Sequence, residues 1–507
     1  MYDVVVIGAG IAGMATAARL RAAGLSTLVL EAHGLPGGCA GYFRRKGFAF
    51  DVGATTLVDF APGGVGAELL ETIGMPALPG ERLPGYVAWL PDRKVTLHRD
   101  QALWADERLR MLGNSPAHRR LWMFFDRIAD VFWGASRRGV QLPLRSPMDA
   151  IRAARCLAIR DLPLVRYLGW TVGDALRHYG LYEDKPLISL LAMLIEDTVH
   201  GRIETAPLIN GVLGATIRGT GLTRAYGGMY GFWRRFTAHY RALGGQLRVG
   251  TTVRAFRGRA GDFVIQTQRG DFHARRVISA LPAPLTARIG PPEVGEALAP
   301  YIRRDAKAQG GAVVVFLGVP DTHVAEQSFT HHQILHDYES PLGEGNNMFI
   351  SVSAADDIES APAGFRSVML STHCELSPWQ NLDDAVYEAH KKKIGNKLVE
   401  LARRVYPTLG ENAVVHEVAT PRTYERFTRR PGGAVGGARL SLANSNQRAI
   451  PHDIGFPGFW MVGDSTWPGL GTVACVLGSR NVAQSVLQGA RTSSDWILDS
   501  GGRADVA

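Results

Sequence analysis

The chain has only four cysteines in 507 residues, and no two of them form a CxxC pair. Cys39, Cys156, Cys374 and Cys475 are too scattered for a zinc site or a disulfide framework, which fits a reducing compartment. No uncharged apolar run reaches the roughly 18 residues needed to span a bilayer. No basic stretch precedes the apolar N-terminus, so it reads as a strand and a loop, not a secretory signal. Repeats, low-complexity tracts and nucleic-acid modules are missing too. His331-His332 fall in a loop before a strand, with no acids at ligand spacing, so no metal site is expected. These absences leave a globular protein, expected in the cytoplasm and either free or attached to a membrane surface.

What is present is ordinary in bulk. An apolar share of 46% and a charged share of 20% provide a large core over two to four domains. The net charge of +9, carried mainly by Arg, suits either an anionic membrane surface as partner, the favoured reading, or simply a moderately basic enzyme.

Residues 3–7 (Asp-Val-Val-Val-Ile) form the apolar run of a buried parallel strand. Ala12–Ala23 is an Ala-rich helix that Gly24 ends, and Ser26–Leu30 make a second strand, completing a βαβ unit. Residues 100–224 are mainly helical. A helix over Gly231–Leu243 follows, then strands over 247–256, 262–268 and 271–280. Further β-runs cover 311–318, 346–353 and 366–373. A helix covers 381–405, and 458–488 reads as strand, Gly-rich turn and closing helix. Nucleotide-fold material thus recurs at the start, middle and end of the chain. The expected architecture is α/β: a Rossmann-type dinucleotide domain from 1–99, 226–290 and 440–492. An α+β substrate domain comes from 100–225 and 291–439, with a tail at 493–507.

The strongest motif is Gly8-Ala9-Gly10-Ile11-Ala12-Gly13 between strand and helix. Gly8 allows the tight turn, Gly10 lets the backbone approach a pyrophosphate, and Gly13 permits close helix–strand packing. Glu31, with Ala32 behind it, ends the second strand where an acid meets the adenosine ribose. Gly37-Gly38, followed by Phe50-Asp51-Val52-Gly53, resembles the second glycine pair of glutathione-reductase-type and amine-oxidase-type flavoproteins. Most such proteins carry Arg or Lys after that pair; here Cys39 stands there, and Arg44 is the candidate replacement cation. Val253 is a further cofactor contact. Phe459 to Gly463-Asp464-Ser465 resembles the flavoprotein strand whose carboxylate holds the ribityl chain. Gly471, Thr472 and Val473 would then bring a helix N-terminus to the flavin's pyrimidine edge.

The run Thr420-Pro421-Arg422-Thr423-Tyr424-Glu425-Arg426-Phe427 through Pro431-Gly432-Gly433, together with Gly463-Asp464-Ser465-Thr466, resembles carotenoid desaturases and prolycopene isomerases. Gly343-Glu344-Gly345-Asn346-Asn347-Met348-Phe349 is most similar to carotenoid 3,4-desaturases. The resemblance implies an FAD enzyme in which an allylic carbon of an isoprenoid polyene loses hydride to flavin N5, with oxygen or a membrane quinone as final acceptor. An isomerase or saturase could be built on the same site. An amine oxidase shares the N-terminal fold, although Trp467 belongs to no evident aromatic amine cage. A Rab-escort-type binding protein shares it too, but intact dinucleotide motifs at both ends argue against that.

Glu196, Asp197 and His200 follow the apolar run Leu187–Ile195 and are candidate proton acceptors, although a helix-end acid pair beside a solvated His is the plainer reading of these residues. Glu425 and Arg426 are a candidate pair near the flavin. In the segment 137–177, Arg145, Arg152, Arg155, Arg160, Arg166 and Arg177 interleave with Leu, Ile, Tyr167 and Trp170. That pattern suits peripheral binding to anionic headgroups, or a solvated helical face.

Overall fold

The computed structural model describes residues 1–500, except the side chains of Arg218 and of residues 490–500; of the expected tail, 501–507 lie outside the described residues. Val4–Ile7 are buried on both faces, as a parallel strand covered by helices on either side must be. Strand Tyr2–Ile7 lies between Thr27–Leu30 and Gly270–Ser279, and Phe459–Met461 adds in parallel beyond Gly270–Ser279. Gln246–Arg248 closes the other edge. Asp262–Thr267 and Val253–Arg259 continue the sheet antiparallel. The single run expected over 247–256 is therefore two strands. Gly250 (φ +60) breaks it and sends the halves to opposite ends of the sheet.

Helix Ile11–Ala22 packs against the closing helix Thr472–Ser500 in one apolar cluster. Inside it, Arg19 hydrogen-bonds Ser479 at 3.2 Å and pairs with Glu68 at 2.6 Å. The closing helix runs past residue 488, where it was expected to stop.

The second sheet has seven strands, in the order Val415–Ala419, Gly311–Pro320, Phe365–Cys374, Asn347–Val352, His331–Leu335, Gly85–Trp89 and Lys94–His98. Two differences from the sequence reading appear here. Residues 85–98, assigned to the dinucleotide half, pair with this sheet through Val87 opposite His332. His331 and His332 are the first residues of a strand, not a loop, and both are fully buried. Alternation along the strands turns Val313, Val315, Leu317, Ile334 and Leu370 into a core shared with helix Asp384–Ala402. The opposite face presents Gln333, Phe349, Ser371, Val314 and Ala419 as one rung across five strands. Residues 101–220 are helical and roof this face. The ion pair of Asp51 and Arg224, both buried, ties the two-strand piece Tyr42–Asp51 to Leu222–Ala225. Asp51 also accepts the Met229 N–H at 2.7 Å, anchoring helix Gly228–Ala242.

Candidate active site

One cavity of about 860 Å³ runs between the two sheets. At its dinucleotide end Gly8 (φ +103) turns the chain, and a Cβ on Gly13 would lie 2.2 Å from Gly8 O and 2.8 Å from Ala280 Cβ. A Cβ on Gly10 would meet nothing within 4 Å, because its hydrogens face the cavity. No side chain caps the helix that begins at Ile11 and Ala12, so its N-terminus is open to an anion. The Glu31 carboxylate accepts the Ala9 N–H at 2.7 Å and the His33 N–H at 2.8 Å, and with Ala32 it lines the same space. The second glycine pair lies directly against the first loop. Gly37 N–H donates to Ala9 O at 2.9 Å, and Gly38 is within van der Waals reach of Gly10. A Cβ on Gly463 would lie 3.8 Å from Ala12 Cβ, and Asp464 lines the cavity, as do Gly471, Thr472, Val473 and Val253.

The floor beyond is the rung Gln333–Phe349–Ser371–Val314–Ala419, and the roof includes Met193, Leu213 and Ile217. A polar cluster interrupts these apolar walls. Asn347 donates to the Glu196 carboxylate at 2.5 Å while its own carbonyl accepts the Gly343 N–H at 2.6 Å, which fixes the amide. His373 Nδ1 stands 3.5 Å from Glu196 Oε2, and the His200 ring lies 4.8 Å from the His373 ring, centroid to centroid. Burial pushes the Glu196 carboxyl up, but the bonds from His373 and Asn347 outweigh it and leave it below the usual range. Burial pulls His373 down, and the Glu196 carboxylate more than reverses this, so His373 titrates above its ordinary value. His200 is held far below its own by burial and by the charges of His373, Arg439 and Arg430. It caps helix Lys185–Val199 in a left-handed turn (φ 54), with Gly436 so close that a Cβ there would sit 2.6 Å from the ring. Asp197 lines the cavity but is exposed.

Residues 6–72 match the NAD(P)-binding Rossmann-like domain. Residues 176–487, more than half the chain, match the family described as flavin containing amine oxidoreductase. The chain belongs to the flavin containing amine oxidoreductase family. Over 498 residues this flavoprotein is 26% identical to prolycopene isomerase 1 of an Oncidium hybrid cultivar, a match covering 93% of this chain and 81% of the relative. A stretch of 91 residues, 18% of this chain and 17% of the relative, is 42% identical to the lycopene-forming phytoene desaturase of Pseudescherichia vulneris. An oxidoreductase from Methanosarcina mazei shares the fold, with a TM-score of 0.63 at 18% identity over 95% of this chain and 99% of that one.

The flavoprotein is an FAD-dependent oxidoreductase, and its cavity wall fits that cofactor. The bare Gly10 surface and uncapped helix suit the pyrophosphate, Glu31 suits the ribose hydroxyls, and Gly471 (φ +97), with open space over its α-carbon, suits a flat ring. Three candidate residues are not part of this wall. Arg44 is exposed on strand Tyr42–Arg45 and stacks on Tyr230, 4.8 Å from the ring centroid, because strand alternation turns it outward. Glu425 is exposed and accepts the Gly432 N–H at 3.0 Å, while Arg426 lies over Phe427 instead of pairing with it. His373 and Gln333 carried no sequence signal for a site beyond being polar residues in apolar β-runs, whereas Asn347 lay in the Gly343–Phe349 block of the desaturase resemblance. Among the described residues no His, Cys, Asp or Glu cluster could hold a metal, and no helix is long and apolar enough to cross a membrane.

Proposed function

We propose that the flavoprotein dehydrogenates an allylic CH–CH unit of a carotenoid-like or other isoprenoid polyene, with His373 taking the proton. The observation behind this is a half-buried acid–histidine cluster in an apolar cavity continuous with the dinucleotide loops. FAD, which Gly10, the helix N-terminus at Ile11 and Glu31 would hold, would supply the two-electron chemistry as hydride acceptor, with oxygen or a membrane quinone as the final acceptor. The chain's own work is to lay the polyene along Val314, Phe349, Met193 and Leu213 and to exclude water. As the hydride leaves one carbon, His373 accepts the proton from the next, the C–H electrons become the new double bond, and the Glu196 carboxylate stabilises the imidazolium. His200, kept neutral, adds no competing charge.

A second reading, cis–trans isomerisation of a polyene without net oxidation, is supported by the near full-length similarity to a prolycopene isomerase. Anaerobic mixing with polyenes in liposomes separates the two. Bleaching of oxidised flavin with a product two hydrogens lighter is expected for the dehydrogenase. Isomer formation only after prior flavin reduction would move the assignment to the isomerase, and silence in both states would refute the polyene reading.

Peripheral membrane binding belongs to the same proposal. Helix Pro147–Arg155 buries none of its residues, and Met148 and Ile151 are exposed on it. The 3-10 segment Ile159–Gly169 exposes Ile159 (88%), Leu162 and Val165 beside Arg160 and Arg166. Apolar side chains ringed by Arg suit an anionic bilayer, and this segment packs on helix Leu208–Ala215, which lines the cavity. Co-sedimentation with anionic liposomes should be lost in an Ile151→Glu, Ile159→Glu double variant; unchanged binding would exclude this surface.

A further inference from the structure

FAD brings two phosphate charges to loops that offer one helix N-terminus, equivalent to about half a positive charge. Position 39, directly after the glycine pair, holds a thiol instead of a base. Arg44 faces away. Among the described residues, the arginines lining the cavity are Arg288, Arg429 and Arg430; Arg288 and Arg429 are exposed and Arg430 is 14% exposed.

The backbone around Arg430 is built to aim it inward. Helix Pro421–Thr428 ends in a left-handed turn at Arg429 (φ 59). Gly433 (φ +75) then folds back so tightly that a Cβ would lie 1.9 Å from Pro421 O. Tyr424 Oη donates to Val52 O at 2.5 Å, fastening this helix to the segment in which Gly53 covers the Cys39 carbonyl. The Arg430 guanidinium reaches Gly436 O and pairs with Asp464 at 2.5 Å. Asp464 in turn follows Gly463, which sits over Ala12 at the start of the uncapped helix. Asp464 thus links Arg430 to the wall that begins the uncapped helix.

We propose that Arg430 is the cation for the FAD pyrophosphate in this chain, substituting from the other wall for the base that position 39 lacks. Asp464 positions the guanidinium, and Arg430 in turn keeps a carboxylate tolerable beside a diphosphate. The assignment stands whichever substrate the flavoprotein takes.

The test is the FAD dissociation constant, read from flavin fluorescence released on serial dilution of the holoenzyme, with circular dichroism as a check on folding. Arg430→Met should weaken FAD binding by about 10- to 100-fold, the range of one charge-assisted hydrogen bond, and Arg430→Lys by less. Adding Cys39→Arg to Arg430→Met should restore most of the affinity. Unchanged affinity in Arg430→Met would overturn the proposal. So would a folded double variant that binds FAD no better than the single one. If Arg430→Met fails to fold, the double variant decides: folded and yellow supports the assignment, unfolded refutes it. A shifted flavin reduction potential at unchanged affinity would put Arg430 at the ring system and also refute it.

Discussion

Lowering the pH from 6.5 to 4 should expose the cost of burying His332. The ring is fully buried in strand His331–Leu335. Its Nδ1 accepts the Trp89 indole N–H at 3.2 Å, and its Nε2 faces Phe329 O at 2.9 Å and Tyr406 Oη at 3.0 Å. An indole can only donate, so Nδ1 is the bare nitrogen and Nε2 carries the proton. A second proton would point Nδ1–H at the indole N–H. Burial drives the pKa down from 6.5 to about 4, with Lys94, above Trp89, pushing the same way. Between those values the unfolded chain holds a proton that the folded one refuses. The stability from neutral His332 is thus complete above pH 6.5 and is lost as the pH falls through about 4. At about 1.4 kcal/mol per tenfold change, the fall amounts to about 3 kcal/mol, a large part of the roughly 5–15 kcal/mol that holds a domain folded. His332→Gln keeps an acceptor for Trp89 and a donor for Phe329 but does not titrate. Urea unfolding across this pH range should show the wild type losing about 3 kcal/mol more than the variant. His452, likewise depressed to about 4 by burial, is common to both proteins and cancels. Parallel curves would refute the reasoning.

A methyl group added by Gly13→Ala would collide with Gly8 O and Ala280, so the variant should purify with little flavin; a normal flavin-to-protein absorbance ratio would contradict this. Arg224→Met leaves the buried Asp51 carboxylate without its cation and should cost about 3–5 kcal/mol. Adding Asp51→Asn should recover much of that in the unfolding midpoint; no recovery would mean the pair does not act as a unit. Glu196→Gln removes the carboxylate that holds the His373 proton, so the acid limb of flavin reduction should move to lower pH; an unmoved limb counts against His373 as the acceptor.

The dinucleotide end was legible because its constraints are local. The turn at Gly8, the bare surface of Gly10 and the close packing at Gly13 each depend on residues a few positions apart, and Glu31 follows at the end of the next strand. The strand–Gly-Asp block at 459–464 was readable for the same reason. Distance in space defeated the other readings. Arg44 is close in sequence to the glycine pair, yet strand alternation turns it to Tyr230, whereas Arg430, almost 400 residues further on, reaches the cavity. The sequence by itself thus determined the flavin fold and the shape of its glycine loops, because backbone conformation and hydrophobic periodicity act over short spans. Only the tertiary structure decided that Glu196, Asn347 and His373 share one cluster in the cavity wall. They come from one helix and two strands, and a pKa set by desolvation and a facing charge exists only once those elements have packed.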